Sequence, residues 1–248
     1  MTRHARTSIK QPVLVQAKAK NGILAGLSPA DFTLLQPHLC EAELPVRRQL
    51  EIRNRVIDHV YFVETGLVSM VISTGAHHSI EVGVVGSEGV TGLSVLRETD
   101  RAPYETFIQT AGTGWRIAVP DLQAAMARSP SLRATLLRFA FTLVAQMAFT
   151  ALANGRYKIE ERLARWLLMA NDRSRDDIIR LTHDALAIML GARRAGVTHA
   201  LNDFQKRGII HTQRGVIEIR SRAMLEEAAN GSYGGPEAEY RRLFGKPV

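Results

Sequence analysis

The chain has 248 residues, 46% hydrophobic and 23% charged, with one cysteine and a formal net charge of +8. That length supports two modest domains, each with its own core, and a single cysteine excludes both an intramolecular disulfide and an all-cysteine metal or iron–sulfur site within one chain. The basic excess is uneven: residues 1–20 hold five basic and no acidic side chains, 21–130 hold eight and twelve, and 131–248 hold nineteen and twelve, giving +5, −4 and +7. A polyanion partner suits the two basic segments.

Residues 1–16 are basic and polar without the apolar run of a secretory signal, and residues 1–20 are expected to form a disordered basic tail. The next unit is expected over 21–120. It opens with a short helical stretch over 24–39, where Ser28-Pro29 supplies a cap and a first helical residue. Beyond about Ala42 the period changes. Runs at 60–63, 67–72, 79–85, 105–109 and 114–119 are β-rich and separated by glycine-bearing turns, which predicts a small antiparallel roll. His77-His78 falls in a predicted hairpin turn and reads as a solvated pair rather than as haem ligands. Gly83, Gly86 and Gly89 lack both the spacing and the following long helix of a dinucleotide loop. Cys40 lies beside Glu41 and Glu43 with no cation nearby to activate it.

Residues 121–154 are predicted to be helical, restarting at Pro120-Asp121. The longest helix is expected over 131–154, after Ser129-Pro130. Leu132, Leu136, Phe139, Leu143, Met147 and Thr150 follow a near-heptad spacing, and Leu137, Phe141, Val144, Phe149 and Leu152 make the other faces apolar too. Such a helix must be buried on more than one side, by its own roll and by a second copy of the chain. The most apolar stretch, 139–153, is fifteen residues long and contains Gln146. That is too short for a bilayer, so the expected location is cytoplasmic with no membrane partner. Asn154-Gly155 is expected to end this helix, and 159–171 forms a further amphipathic one.

The unit over 155–225 carries the most informative stretch, LTHDALAIMLGARRAGVTHALNDFQKRG at 181–208. Thr182 is a plausible N-cap with Asp184 in the first turn, and Ala185, Leu186, Met189 and Leu190 mark an inward face. Gly191 suits a tight turn. A second helix over 193–206 places Val197, Ala200, Leu201 and Phe204 on one side and Arg194, Ala195, Thr198, His199 and Asn202 on the other. Gly208 follows as the C′ residue, and 209–219 reads as a hairpin with Arg214-Gly215 in its turn. This is the outline of a winged helix-turn-helix, whose second helix enters the DNA major groove. A C-terminal extension occupies 226–248. The carboxylate pairs Glu160-Glu161 and Asp176-Asp177 lie on solvated faces, and no acid–base set converges elsewhere, so no enzyme, metal site or cofactor is expected.

Roll, long helix, short helix and winged helix-turn-helix follow one another in the order of the Crp/Fnr superfamily of bacterial transcription regulators, which the chain resembles over about 21–222. The strongest matches are 181–208 and Val60-Tyr61-Phe62-Val63-Glu64-Thr65-Gly66-Leu67-Val68. The resemblance implies an α+β chain: an N-terminal antiparallel β-roll of the cyclic-nucleotide-binding type, a long dimerisation helix and a C-terminal winged helix-turn-helix. It further implies a homodimer on a two-fold symmetric site in double-stranded DNA, and regulation through contact with RNA polymerase. Carried onto this sequence, it assigns phosphate contacts to Thr182, Arg193 and Arg214 and base contacts to Arg194, Thr198 and Asn202, with a thymine methyl open to Ala195 and either a base edge or a phosphate open to His199. Many members place a Glu where Ala195 stands and an Arg where His199 stands, so the operator should differ from theirs. Members that bind cyclic nucleotides carry Gly-Glu-Leu, followed by an Arg-Ser or Arg-Thr pair. Here Gly92 stands in place of the Glu, the pair falls near Ala102-Pro103, and Arg101 is one residue off, so it faces the other way in a strand. Control by cyclic AMP is therefore not expected. The alternative is a receptor whose roll binds an unidentified small molecule or a partner protein.

Overall fold

The computed structural model describes residues 13–75, 78–174 and 177–248. The helices before the roll are α1 (Gly22–Gly26) and α2 (Pro29–Leu35), and Ser28 caps α2 by accepting from the Asp31 N–H, as its sequence signature predicts. The tail expected over 1–20 lies partly outside the described residues. Its described part is tied down: Leu14 is buried, and the Gln16 amide donates to the carbonyls of Leu24 and Leu27.

The roll consists of β1 (Cys40–Leu44), β2 (Gln49–Glu51), β3 (His59–Val63), β4 (Leu67–Ser73), β5 (Ser79–Val85), β6 (Glu105–Thr110) and β7 (Gly112–Ala118), with a short helix α3 (Leu93–Leu96) inserted between β5 and β6. All pairings between these strands are antiparallel, in two sheets ordered β1-β7-β3 and β2-β6-β4-β5. Phe62, Val60, Ile117 and Trp115 from the first sheet meet Val68, Met70, Ile108 and Val85 from the second in one core. The sequence pattern missed β1 and β2, whose outward residues are polar and whose lengths are short.

Two helices follow, α4 (Val119–Arg128) and α5 (Pro130–Arg156), the latter capped by the Ser129 hydroxyl. Asn154-Gly155 does not end α5, which continues to Arg156: the glycine's open surroundings impose no break, and an interior helical glycine costs only about 1 kcal/mol. At 27 residues α5 is long and apolar enough to cross a membrane by length and composition, so the shortness expected from sequence does not hold. Packing accounts for its composition instead. The near-heptad row Leu132, Leu136, Phe139 and Leu143 is buried against the roll and α4, whereas Leu137, Phe141, Val144 and Leu152 are exposed. Gln146, the polar residue inside this apolar helix, pairs with both the N–H and the carbonyl of Val84. It thereby closes β5, the edge strand of its sheet, where unpaired peptide groups would otherwise be buried.

The C-terminal part contains α6 (Ile159–Ser174), β8 (Ile178–Ile179), α7 (His183–Met189), α8 (Arg194–Lys206), β9 (Ile210–Gln213), β10 (Val216–Ile219), α9 (Arg222–Ala228) and α10 (Gly235–Phe244). Helix α9 crosses the boundary expected at residue 225. A second core joins α6, α7, α8, the hairpin and α9, and it includes Leu67, Val71 and Val84 from the back of the roll. The two parts are therefore packed on one another. Gly191 shows why its position is demanding: its φ is +54°, and an added Cβ would lie 2.5 Å from Ile80 Cδ1 of β5. Buried charges cross the same boundary. Trp166 on α6 donates to Glu81 on β5 at 2.6 Å, and Arg173 on α6 pairs with Glu88 at 2.9 Å and with Glu237 of α10 at 3.6 Å. Burial pushes the Glu81 carboxyl up to about 7, against the hydrogen bonds from Ser69 and Trp166.

Candidate nucleic-acid interface and the interior of the roll

The helix-turn-helix is built as its sequence predicts. The Thr182 side chain accepts from the Ala185 N–H at 3.2 Å and so caps α7. Leu186 and Met189 on α7 and Val197, Ala200, Leu201 and Phe204 on α8 are buried together. Arg193 is the N-cap residue of α8 rather than its first helical residue, and its side chain makes no capping hydrogen bond. Gly208, with φ +71°, takes the left-handed conformation that ends α8. The wing is pinned to α8 by Gln205, whose side-chain Oε1 accepts from the Thr212 N–H at 2.8 Å. The β9–β10 turn carries Arg214, which is exposed, and Gly215 with φ +71°.

The predicted contact residues fall into two groups. Arg193, Arg194, Ala195, His199 and Asn202 are exposed along α8, with Thr198 half-buried beside them. Two of these reach back to α7: Arg194 Nε lies 3.2 Å from Asp184 Oδ1, and Thr198 Oγ1 lies 3.0 Å from His183 Nδ1. Thr182, at the start of α7, borders a cleft of about 530 Å³ between the helix-turn-helix and the roll, lined by Val46, Phe107, Ile188 and Met189 among others and reached also by Asp184. Sequence reading missed the roles of His183 and Asp184, because adjacency within α7 does not reveal which residue of α8 each will meet.

Inside the roll, the position matching the nucleotide motif is built differently. Gly92 has φ +80°, and a Cβ there would lie 2.6 Å from Val60 Cγ2, so no larger side chain fits without displacing β3. Its N–H, at the start of α3, donates to the buried carboxylate of Glu51 at 2.8 Å. Burial pushes the Glu51 pKa up to about 7, and the Gly92 N–H pulls it back. Tyr104 OH is buried without a hydrogen-bond partner among the described residues, and the Thr106 hydroxyl adds to the pull of the Gly92 N–H on Glu51. Phe139 of α5 rests directly on Gly89, whose added Cβ would lie 2.2 Å from the ring. Arg101, the displaced cation, is exposed and donates to the Asn54 carbonyl at 2.8 Å, while Ala102 is buried. Cys40 is half-buried. His77 and Asp176 lie outside the described residues.

This arrangement defines the class: an antiparallel roll, a long helix and a winged helix-turn-helix, the fold of the Crp/Fnr transcription regulators. Residues 161–228 match the family model of the Crp-like helix-turn-helix domain. Among solved structures, the chain is similar to a protein from Eubacterium rectale described as a transcriptional regulator of the Crp/Fnr family, with 17% identity and a TM-score of 0.66 over 84% of this chain and 98% of that one. FixK2 from Bradyrhizobium japonicum shares 18% identity at a TM-score of 0.65, over 77% and 96% of the two chains. A Crp-family transcriptional regulator from Thermus thermophilus shares 18% at 0.64, over 78% and 99%. No curated protein matches the chain by sequence. The protein thus carries a Crp-like helix-turn-helix domain on the fold shared by Crp/Fnr-type structures.

Proposed function

We propose that the protein is a homodimeric, sequence-specific transcription regulator that reads a two-fold symmetric DNA site and acts in the cytoplasm with RNA polymerase, without control by cyclic AMP. The observation that carries DNA reading is the exposed row Arg193, Arg194, Ala195, His199 and Asn202 on a helix whose opposite side is fully packed. Arg194 supplies the fork that fits guanine O6 and N7, Ala195 suits a thymine methyl, and Arg193, Thr182 and Arg214 meet phosphates. Dimerisation is supported by the exposed row on α5, where Phe141 keeps 55% of its surface accessible within a stripe of Leu137, Val144 and Leu152. Independence from cyclic AMP is supported by the interior of the roll. There Gly92 stands where the resemblance calls for a glutamate, and its amide is already bound by a carboxylate of the chain itself.

Selection of bound sites from a random duplex pool, followed by footprinting, tests this reading: a two-fold symmetric sequence is expected, and its absence would sink it. Phe141→Glu should convert the dimer to a monomer in analytical ultracentrifugation. Because each monomer then engages only one half-site, its affinity should fall by at least about 100-fold.

A second reading, a ligand-controlled regulator, is favoured by one feature, the cleft between the roll and the helix-turn-helix. Its walls come from both parts, so an occupant there would touch Thr182 and Ala185 as well as Phe107. A rise in melting temperature with cell-extract fractions, lost in Ala185→Trp, would support it.

A further inference from the structure

The two contacts from α7 to α8 share one edge of the recognition helix. Arg194 and Thr198 are one helical turn apart, and their partners Asp184 and His183 are consecutive residues. Side chains proposed to touch bases are thus held from behind by the preceding helix. The Asp184–Arg194 pair is 68% and 67% exposed, a setting in which an ion pair adds little to folding stability. Its consequence is geometric. A free arginine samples many rotamers, and fixing it on binding costs entropy. Held near Nε, the guanidinium is already oriented, and its terminal nitrogens remain for the two acceptors of a guanine edge. The carboxylate also competes with phosphates for the same guanidinium, which disfavours binding to DNA of the wrong sequence.

We infer that Asp184 is a positioning residue for sequence reading, orienting Arg194 toward a guanine edge and discouraging its use as a phosphate contact. This rests on the proposed base contact of Arg194. The other role open to Asp184, a negative charge in the first turn of α7, would act on stability and on overall affinity without regard to sequence.

The test uses the full-length protein and a site selected from a random duplex pool, compared with the same site substituted at the guanine that Arg194 reads. Competition binding is measured for wild type, Asp184→Asn, Arg194→Ala and the double variant, with melting temperatures recorded for each. Asp184→Asn is expected to melt with wild type. It should lose discrimination at that one base pair by about three- to tenfold, a part of the roughly 5- to 150-fold that a whole bidentate contact supplies, and bind random duplex at least as tightly. In the Arg194→Ala background it should change discrimination no further. Unchanged discrimination in Asp184→Asn overturns the inference, as does an equal loss of affinity for every sequence or an additive loss in the double variant. If Arg194→Ala itself leaves every base preference intact, the base contact fails first and the inference falls with it. An Arg194→Ala effect without an Asp184→Asn effect removes the positioning role alone.

Discussion

The roll and the helix-turn-helix treat their polar groups in opposite ways. Within the roll, groups at the position of the nucleotide motif are spent internally: Gly92 N–H on Glu51, Arg101 on Asn54, and the space over Gly89 on the ring of Phe139. On α8 the polar row stays at the surface, and its two internal partners, Asp184 and His183, come from the neighbouring helix of the same motif. One architecture can therefore keep its reading surface open while the interior of the other domain is closed by packing. Buried polar atoms favour partners, and the chain supplies one for the Gly92 N–H, although Tyr104 OH is left without one among the described residues.

The largest expected effect comes from breaking the closed end. Phe139→Ala removes a fully packed ring and should cost about 3–5 kcal/mol of stability in denaturant unfolding. Calorimetry should still detect no cyclic AMP binding, since Gly92 and Glu51 are unchanged; tight binding would mean that Phe139 alone closes the roll.

The next effect is on pH dependence. Glu81 and Glu51 are both held near 7 by burial, above the ordinary 4.5. A carboxyl whose folded pKa is raised binds its proton more firmly in the folded state, so its contribution is fully present below pH 4.5 and is lost as pH rises through about 7. Each contributes on the order of 3 kcal/mol to this fall. Melting temperature should therefore decline between pH 5 and 8, and Glu81→Gln should flatten the decline while leaving the Trp166 contact available. A profile identical to wild type would mean that Glu81 is already ionised in the fold.

At the open end the effects are smaller and specific to DNA. Arg194→Ala should cost about 1–3 kcal/mol of discrimination at one base pair per half-site. Arg193→Gln should weaken binding to all sequences alike and reduce the slope of log affinity against log salt by about one per protomer. Equal, sequence-independent losses in both variants would erase the division between base and phosphate contacts along α8.

Much of the helix-turn-helix was legible because its signals are local. Thr182 as a cap, the glycines at 191 and 208, and the spacing of Val197, Ala200, Leu201 and Phe204 each reflect forces acting within one or two turns. The long helix shows where locality fails. Its sequence contains two apolar rows, and spacing does not say which of them meets the roll; the fold turns the Leu132 row inward and leaves the Phe141 row outside. Nothing within α5 tells which row meets the roll, because that depends on strands far earlier in the chain.

The sequence by itself determined the order of roll, long helix and helix-turn-helix, the bounds of α7 and α8 to within a residue or two, and the uneven charge that favours DNA. It also showed that Gly92 cannot do what a glutamate would. Only the tertiary structure decided that Glu51 takes the Gly92 amide, that Gln146 closes the edge of β5, and that Asp184 meets Arg194. The physical reason is the same for all three. Capping and amphipathic periodicity act between near neighbours, whereas the partner of a buried or oriented polar group is chosen by which distant surfaces the hydrophobic core brings into contact.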